Sequence, residues 1–283
     1  MKNKFFNYFC KSKYDDFIIF EREFYDQLYE LKIVRNNRCE MSYTELQFLL
    51  SLIQKIKPVK MLEVGVAAGG TTAMILDLLP AKSTLYSVDI NKQYYRDKEK
   101  PTGYVALDYY DERKHPWWRH FFGLDISECI NDIGDCIDFL LLDTVHTLPG
   151  EFLSFLVALP FLKDNSLLVL HDICLHTIYY MQNPPKTSTS YCNLLLFSSL
   201  SSNKKLLLPN EMSNIAAVFI DKKQVLRNID IVLHMLSLRW SYFPREDILD
   251  NTRSFLVAFY PKRVVDIYDA AVRFNRESFK QNK

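Results

Sequence analysis

From Val59 to Pro80 the chain passes from an apolar, β-branched stretch (Val-Lys-Met-Leu-Glu-Val) through the turn Gly-Val-Ala-Ala-Gly-Gly into a run of helix formers that ends at the proline. A short run that apolar is a strand buried on both faces, and a strand feeding directly into a helix opens a βαβ unit of a parallel sheet. Gly65 and Gly69 let the backbone turn sharply and let a ligand approach main-chain atoms with no Cβ in the way. Pro80 ends the helix.

The same alternation continues downstream. Strands are expected at 59–64, 84–88, 118–122, 138–142, 167–170, 205–208 and 215–220, with helical stretches between them. This is the pattern of an α/β, Rossmann-like seven-stranded sheet with helices on both faces. Three segments follow: an N-terminal helical segment (1–57), the Rossmann-like domain (58–221) and a C-terminal helical extension (222–283). In the first, Ser42-Tyr43-Thr44-Glu45 is a capping-box pattern opening a helix with Leu46, Leu49, Leu50 and Ile53 on one face, which stops at Lys57-Pro58. In the last, 224–240 and 264–274 are apolar at helical spacing, suited to packing, to pairing subunits or to covering a ligand site.

The turn's chemistry narrows its ligand. G-x-x-x-x-G-K-[ST] is absent, G-x-G-x-x-G is not matched, and the turn holds no Lys or Arg to meet a phosphate. Glu63 before it would repel a pyrophosphate and suits a cationic sulfonium with an amino group. Asp89, ending the second strand, can accept both hydroxyls of a ribose. Two acids at adjacent strand ends fit an adenosyl ligand.

Here the chain resembles the class I S-adenosylmethionine-dependent methyltransferases, whose first motif is acid, one residue, Gly, three residues, Gly. The resemblance sharpens at Ile-Asp-Phe-Leu-Leu-Leu-Asp143-Thr-Val-His146 and Ser-Leu-Leu-Val-Leu-His171-Asp172. These are similar to the branch with cephalosporin-hydroxylase-like and macrolide-sugar O-methyltransferases, where one strand ends in D-G-x-H and the next in H-D. The chain departs from that pattern at Thr144, where Gly is usual, and at Asp164-Asn165, where Gly-Gly is usual; Asn tolerates the left-handed conformation such a turn needs. The resemblance implies cofactor contacts from Glu63, Gly65, Ala67, Gly69, Thr71, Thr72, Asp89, Ile90 and Asp125. Asp125 would meet the adenine amino group or, alternatively, cap the helix that follows.

Strand ends of an open parallel sheet gather Glu63, Asp89, Asp125, Asp143, His146, His171 and Asp172 along one rim. Methyl transfer needs an oxygen aligned with the sulfonium methyl and made electron-rich. Asp143, His171 and Asp172 could hold a divalent cation, Mg2+ for example, that lowers an acceptor hydroxyl's pKa, as the resemblance to catechol O-methyltransferase implies. His146 could serve as general base with Asp143 or Asp172 orienting its ring, and the two devices can coexist. Asp143, His146 and His171 are therefore the catalytic candidates; His115, His120 and His176 remain unassigned.

With 35 basic and 34 acidic residues, the +1 net charge gives no electrostatic case for nucleic acid. Cys10, Cys39, Cys129, Cys136, Cys174 and Cys192 form no C-x-x-C pair, the pattern of reduced thiols in a cytoplasmic protein. No apolar run is long enough to span a membrane, and the basic, aromatic N-terminus is interrupted too early for a cleaved signal. The stretch 91–120 is a long insert rich in Tyr and Trp, suited to stacking on sugar faces, covering the cofactor or forming a homodimer interface. Tyr179-Tyr180 and the loop after them could cover an acceptor.

The expected activity is O-methylation of a hydroxylated small molecule: a sugar, nucleotide-sugar or surface-polysaccharide precursor. A phosphoryl or phosphoramidate oxygen as acceptor, an NAD-dependent oxidoreductase and an inactive methyltransferase-like binding protein remain alternatives.

Overall fold

The computed structural model describes residues 39–110, 115–202, 204–207 and 213–281. Most of the expected N-terminal helical segment, residues 1–38, lies outside them, as does Cys10.

Seven strands form one sheet: β1 (Lys60–Val64), β2 (Thr84–Asp89), β3 (Trp118–Phe122), β4 (Ile137–Leu142), β5 (Leu162–His171), β6 (Lys205–Leu207) and β7 (Ile215–Ile220). Their order is β3-β2-β1-β4-β5-β7-β6. β1 to β5 pair in parallel, whereas β7 runs antiparallel to both β5 and β6. The strand order reverses between β1 and β4, which opens a crevice beyond their carboxyl ends.

One face is covered by α1 (Tyr43–Ile56), α2 (Gly70–Leu78) and α3 (Tyr104–Tyr109). α1 begins at the expected capping box: Ser42 Oγ accepts from the Glu45 N–H and Glu45 reaches back to the Ser42 N–H. Its Leu46, Leu49, Leu50 and Ile53 join Met61, Phe139, Leu141, Leu167 and Val169 in one apolar cluster. The other face carries α4 (Ile126–Ile133), α5 (Gly150–Ala158) and α7 (Cys192–Ser199), while the short α6 (Leu175–Tyr180) follows β5 and buries none of its residues. There Leu62, Leu140, Leu142, Leu168 and Leu170 form a second cluster with the C-terminal helices. Alternate residues of one strand feed opposite cores, as a pleated sheet buried on both faces requires.

The C-terminal helices are α8 (Lys222–Arg227), α9 (Ile229–Leu236), α10 (Glu246–Phe259) and α11 (Lys262–Gln281). The expected continuous helical run over 224–240 is broken at Asn228, which ends α8 and precedes α9. Buried Asn275 of α11 accepts the Trp240 N–H at 2.8 Å and donates to Leu238 and Ala271 carbonyls, fixing the chain between α9 and α10 to α11.

β5 starts earlier than its apolar run suggests, and its register against β4 shifts between Ile137 and Phe139. Asn165 sits in that irregularity with φ 60°, the left-handed conformation expected of it. No helix among the described residues is long and apolar enough to cross a membrane.

Candidate active site

The crevice at the reversal point is a cleft of about 580 Å³, a volume typical of small-molecule sites. Its floor is the glycine turn. A Cβ on Gly65 would come 1.8 Å from the Asp143 carbonyl oxygen, so only glycine allows β1 and β4 to end side by side. A Cβ on Gly69 would lie 2.7 Å from Gly103 Cα in the insert. The insert docks on the turn by backbone bonds, Gly103 N–H to Ala67 and Val105 N–H to Ala68. Gly65, Ala67, Gly69, Thr71, Asp89, Ile90 and Asp125 all line the cleft. Ile90 is 42% exposed there, an open apolar surface for a flat ring.

The two strand-end acids behave differently from the expectation. Glu63 lines the cleft but is 1% exposed, its oxygens taking hydroxyl bonds from Thr72 and, across the β1–β2 register, from Ser87 at 2.7 Å. Burial pushes its carboxyl up to about 8, so it is largely neutral at pH 7. The expected charge on Glu63 is thus corrected by desolvation, and fully buried Thr72 serves Glu63 behind the turn. Asp89 accepts the Val66 and Ala67 N–H groups with one oxygen and the Asn91 N–H with the other, bracing the turn from the position expected to meet a ribose. Asp125 caps α4 in a reciprocal box with Glu128 while facing the cleft, so its capping alternative is present.

Beside the turn, Asp143 and Asp172 are brought together by β4 and β5. His146 and Asp172 both adopt left-handed backbone conformations, φ 60° and 57°. Such conformations are uncommon for residues with a Cβ and concentrate where side-chain placement matters. His146 Nε2 lies 3.1 Å from Asp172 Oδ2 and 3.8 Å from Asp143 Oδ1. Ligand atoms of Asp143, His146 and Asp172 all lie within 4.8 Å of one another. Two carboxylates and the Nε2 edge of an imidazole converging at that distance are a donor set that fits a divalent cation.

His171 is placed differently from the set Asp143, His171 and Asp172. It is 6% exposed, its Nδ1 donates to Asp143 Oδ1 at 2.9 Å, and its Nε2 faces Glu45 of α1 at 3.5 Å. Strand alternation points it toward α1. The structure therefore brings His146 in as third donor and leaves His171 bridging two carboxylates.

The charges follow. Burial opposes ionisation of Asp143, but His171 and His146 hold it below the usual carboxylate range. Burial raises Asp172, though Asn214 donates to it at 2.5 Å. Burial opposes charging of His146, yet Glu151, Asp143 and Asp172 outweigh it and lift the ring to about 9. Glu45, whose burial is outweighed by His171, Ser42 and Asn214, falls to about 2.

Sequence reasoning did not assign Glu45, Glu151, Asn214 or Glu40 to the site. Glu45 was legible only as a cap. Glu151 carried a signal, a lone acid in the apolar helix Gly-Glu-Phe-Leu-Ser-Phe-Leu-Val-Ala. Glu40 lines the cleft mouth and accepts from Tyr94 and Tyr95 of the insert at 2.7 and 3.0 Å. Tyr242, Phe243, Pro244 and Arg245 from the C-terminal extension form a further wall.

Residues 62–173 match the model of a family described as a methyltransferase domain. No curated protein matches the chain. Among solved structures, an O-methyltransferase from Bacillus cereus in complex with SAH is similar at 15% identity and TM-score 0.45, over 73% of this chain and 95% of that one. The O-methyltransferase TomG from Streptomyces achromogenes, involved in tomaymycin synthesis and bound to SAM, is similar at 14% identity and TM-score 0.46, over 77% and 96%. Likeness at that level transfers no residue role. The matched stretch runs from β1 to the end of β5, through the glycine turn and both acid-bearing strand ends. That stretch, on a sheet of this strand order with an antiparallel β7, is similar to a methyltransferase domain.

Proposed function

We propose that the protein is an O-methyltransferase whose acceptor is a hydroxylated small molecule, a sugar or glycan precursor without a phosphate at the reacting end. The observation that carries this reading is the convergence of Asp143, His146 and Asp172 beside the glycine turn. Acids dominate the cleft even with Glu63 neutral: Glu40, Asp89, Asp125 and Asp143 line it, against Arg245 and His146. That field favours a sulfonium cofactor and a neutral acceptor, and it opposes the pyrophosphate of NAD or a phosphoryl acceptor.

The cofactor, when bound, supplies a methyl on positively charged sulfur. A divalent cation at the cluster would acidify an acceptor hydroxyl, with Asp143, Asp172 and His146 as its protein donors. The chain's own residues do the rest. Asp89 and the turn fix the cofactor floor, Ile90 offers a face for the adenine, and His171 and Asn214 hold the two aspartates in place. His146 Nε2 is the lone pair offered to the acceptor side. That atom cannot take a proton and bind a cation at once, so at His146 the two devices are alternatives. As base, His146 must first lose the proton that its acidic neighbours stabilise, which requires their charge to be engaged elsewhere.

Calorimetric titration of S-adenosylhomocysteine, with NAD as control, tests the cofactor reading. Micromolar binding of the former alone is expected, and NAD binding instead overturns it. Methyl incorporation from labelled S-adenosylmethionine into a panel of neutral and phosphorylated sugars tests the acceptor. Transfer confined to phosphorylated members would refute the charge argument.

A further inference from the structure

Asp89 ends β2 where a ribose would be met, but its carboxylate is already occupied by the protein. Oδ2 accepts the Val66 and Ala67 N–H groups at 3.0 and 3.1 Å, and Oδ1 accepts the Asn91 N–H at 2.8 Å and the Asn91 side-chain amide at 3.3 Å. A carboxylate has about four lone-pair sites, so these donors leave none open. Were the long 3.3 Å bond to give way, one site would open, whereas a ribose brings two hydroxyl donors. A second acceptor is needed at that end of the cleft.

Glu40 meets that need. It lines the cleft together with Asn91 and Tyr95, and its side chain is 33% exposed. Its neighbour Cys39 shares a hydrogen bond with Thr71 at 3.1 Å, which sets this stretch against the first turn of α2, the helix that the glycine turn opens. Tyr94 donates to Glu40 Oε1 and Tyr95 to Oε2, one hydroxyl each, and Arg96 lies 3.5 Å from Oε2. Among the described residues no further hydrogen bond reaches either oxygen, so each keeps a lone pair for a ligand. Two such oxygens on one carboxylate match the paired O–H donors of a cis-diol. The Arg96 guanidinium offsets part of the charge, which favours neutral hydroxyls over a ligand ammonium.

We propose that Glu40 accepts the ribose hydroxyls of the cofactor, while Asp89 serves as the brace of the glycine turn. The proposal rests on the S-adenosylmethionine reading above. Tyr94 and Tyr95 aim the Glu40 carboxylate, so the aromatic insert takes part in cofactor recognition through an acid that lies ahead of α1 in the chain.

Calorimetry on the whole protein with two ligands, S-adenosylhomocysteine and its 2′,3′-dideoxy analogue, tests it. The wild type should bind the dideoxy ligand about 10- to 100-fold more weakly, the range for hydrogen bonds to a charged acceptor. Glu40→Ala should weaken S-adenosylhomocysteine by a similar factor and leave the dideoxy ligand nearly unaffected, because changes on the two sides of one contact are not additive. Undiminished binding of the dideoxy ligand also shows that the variant is folded. Should Glu40→Ala fail to fold by its melting curve, Glu40→Gln, which keeps the size and one acceptor oxygen, should show the same selective loss at smaller magnitude. Asp89→Asn should weaken both ligands alike, since it loosens the turn beneath either. A penalty from a folded Glu40 variant that is equal for the two ligands, or absent, overturns the proposal, as does an Asp89→Asn penalty confined to S-adenosylhomocysteine. Those results leave the cofactor reading intact, whereas failure of the wild type to bind S-adenosylhomocysteine overturns that reading and this proposal with it.

Discussion

Replacing Glu63 by Gln should remove a pH dependence of stability that the wild type carries. The carboxyl's ordinary value is 4.5 and burial raises it to about 8 in the fold, whereas the unfolded chain has nothing to raise it. A raised folded value means that the stabilisation is fully present below about 4.5 and is lost as pH rises through about 8. Between pH 6 and pH 9 the loss from this group alone is about 3 kcal/mol, from one pKa unit being worth about 1.36 kcal/mol. Gln imitates the neutral acid, offering one acceptor oxygen and a donor to the Thr72 and Ser87 hydroxyls, and it does not ionise. His146 is also raised and also sheds stability as pH climbs, but it does so in both proteins and cancels in the difference. Urea unfolding at pH 6, 7, 8 and 9 measures the effect. The wild-type curve should fall more steeply than that of Glu63→Gln by about 3 kcal/mol across the range. Parallel curves would mean that Glu63 is ionised in the fold, and the reasoning from its burial would be wrong.

Gly65→Ala should abolish S-adenosylhomocysteine binding and cost several kcal/mol, because its Cβ would meet the Asp143 carbonyl at 1.8 Å; unchanged calorimetry and melting would refute the close approach. His146→Ala should lower kcat about 10²- to 10⁴-fold if the ring is a base, with partial recovery at higher pH, whereas loss of a cation donor gives no recovery in the pH–rate profile. Asp172→Asn should weaken Mn2+ binding, read by calorimetry on the cofactor-free protein, and leave S-adenosylhomocysteine affinity intact. Asn275→Ala should destabilise by about 1–3 kcal/mol in chemical denaturation, because it orphans the buried Trp240 N–H and removes the donor to the Leu238 carbonyl.

What the sequence made legible follows from local rules. The glycine turn, the strand ends at Asp89, Asp143 and His171, the α1 capping box and the left-handed Asn165 each depend on a few neighbouring residues, and each is present. The less legible features depend on what crosses the chain. The charge state of Glu63 is set by its burial and the hydroxyls of Thr72 and Ser87. The exchange of His171 for His146 at the cluster depends on α1 placing Glu45 against the β5 terminus. Glu45 was already explained by its capping box, and a residue with one sufficient reason advertises no second. The break at Asn228 shows the same limit, since apolar spacing over 224–240 continues across a position where the helix does not.

The contact between Gly69 and Gly103, with the paired backbone bonds on either side, ties the part of the insert around Gly103 to the floor of the cleft. Tyr94 and Tyr95, a few residues before Gly103, reach Glu40 at the cleft mouth. A segment that looks free to diverge as a specificity loop is therefore mortared into the masonry on which the cofactor would rest. Shortening it or grafting another in its place would alter cofactor affinity before it altered acceptor choice. Redesign of acceptor preference is better directed at the wall from Tyr242 to Arg245, which borders the same cleft and makes none of the backbone bonds that brace the glycine turn.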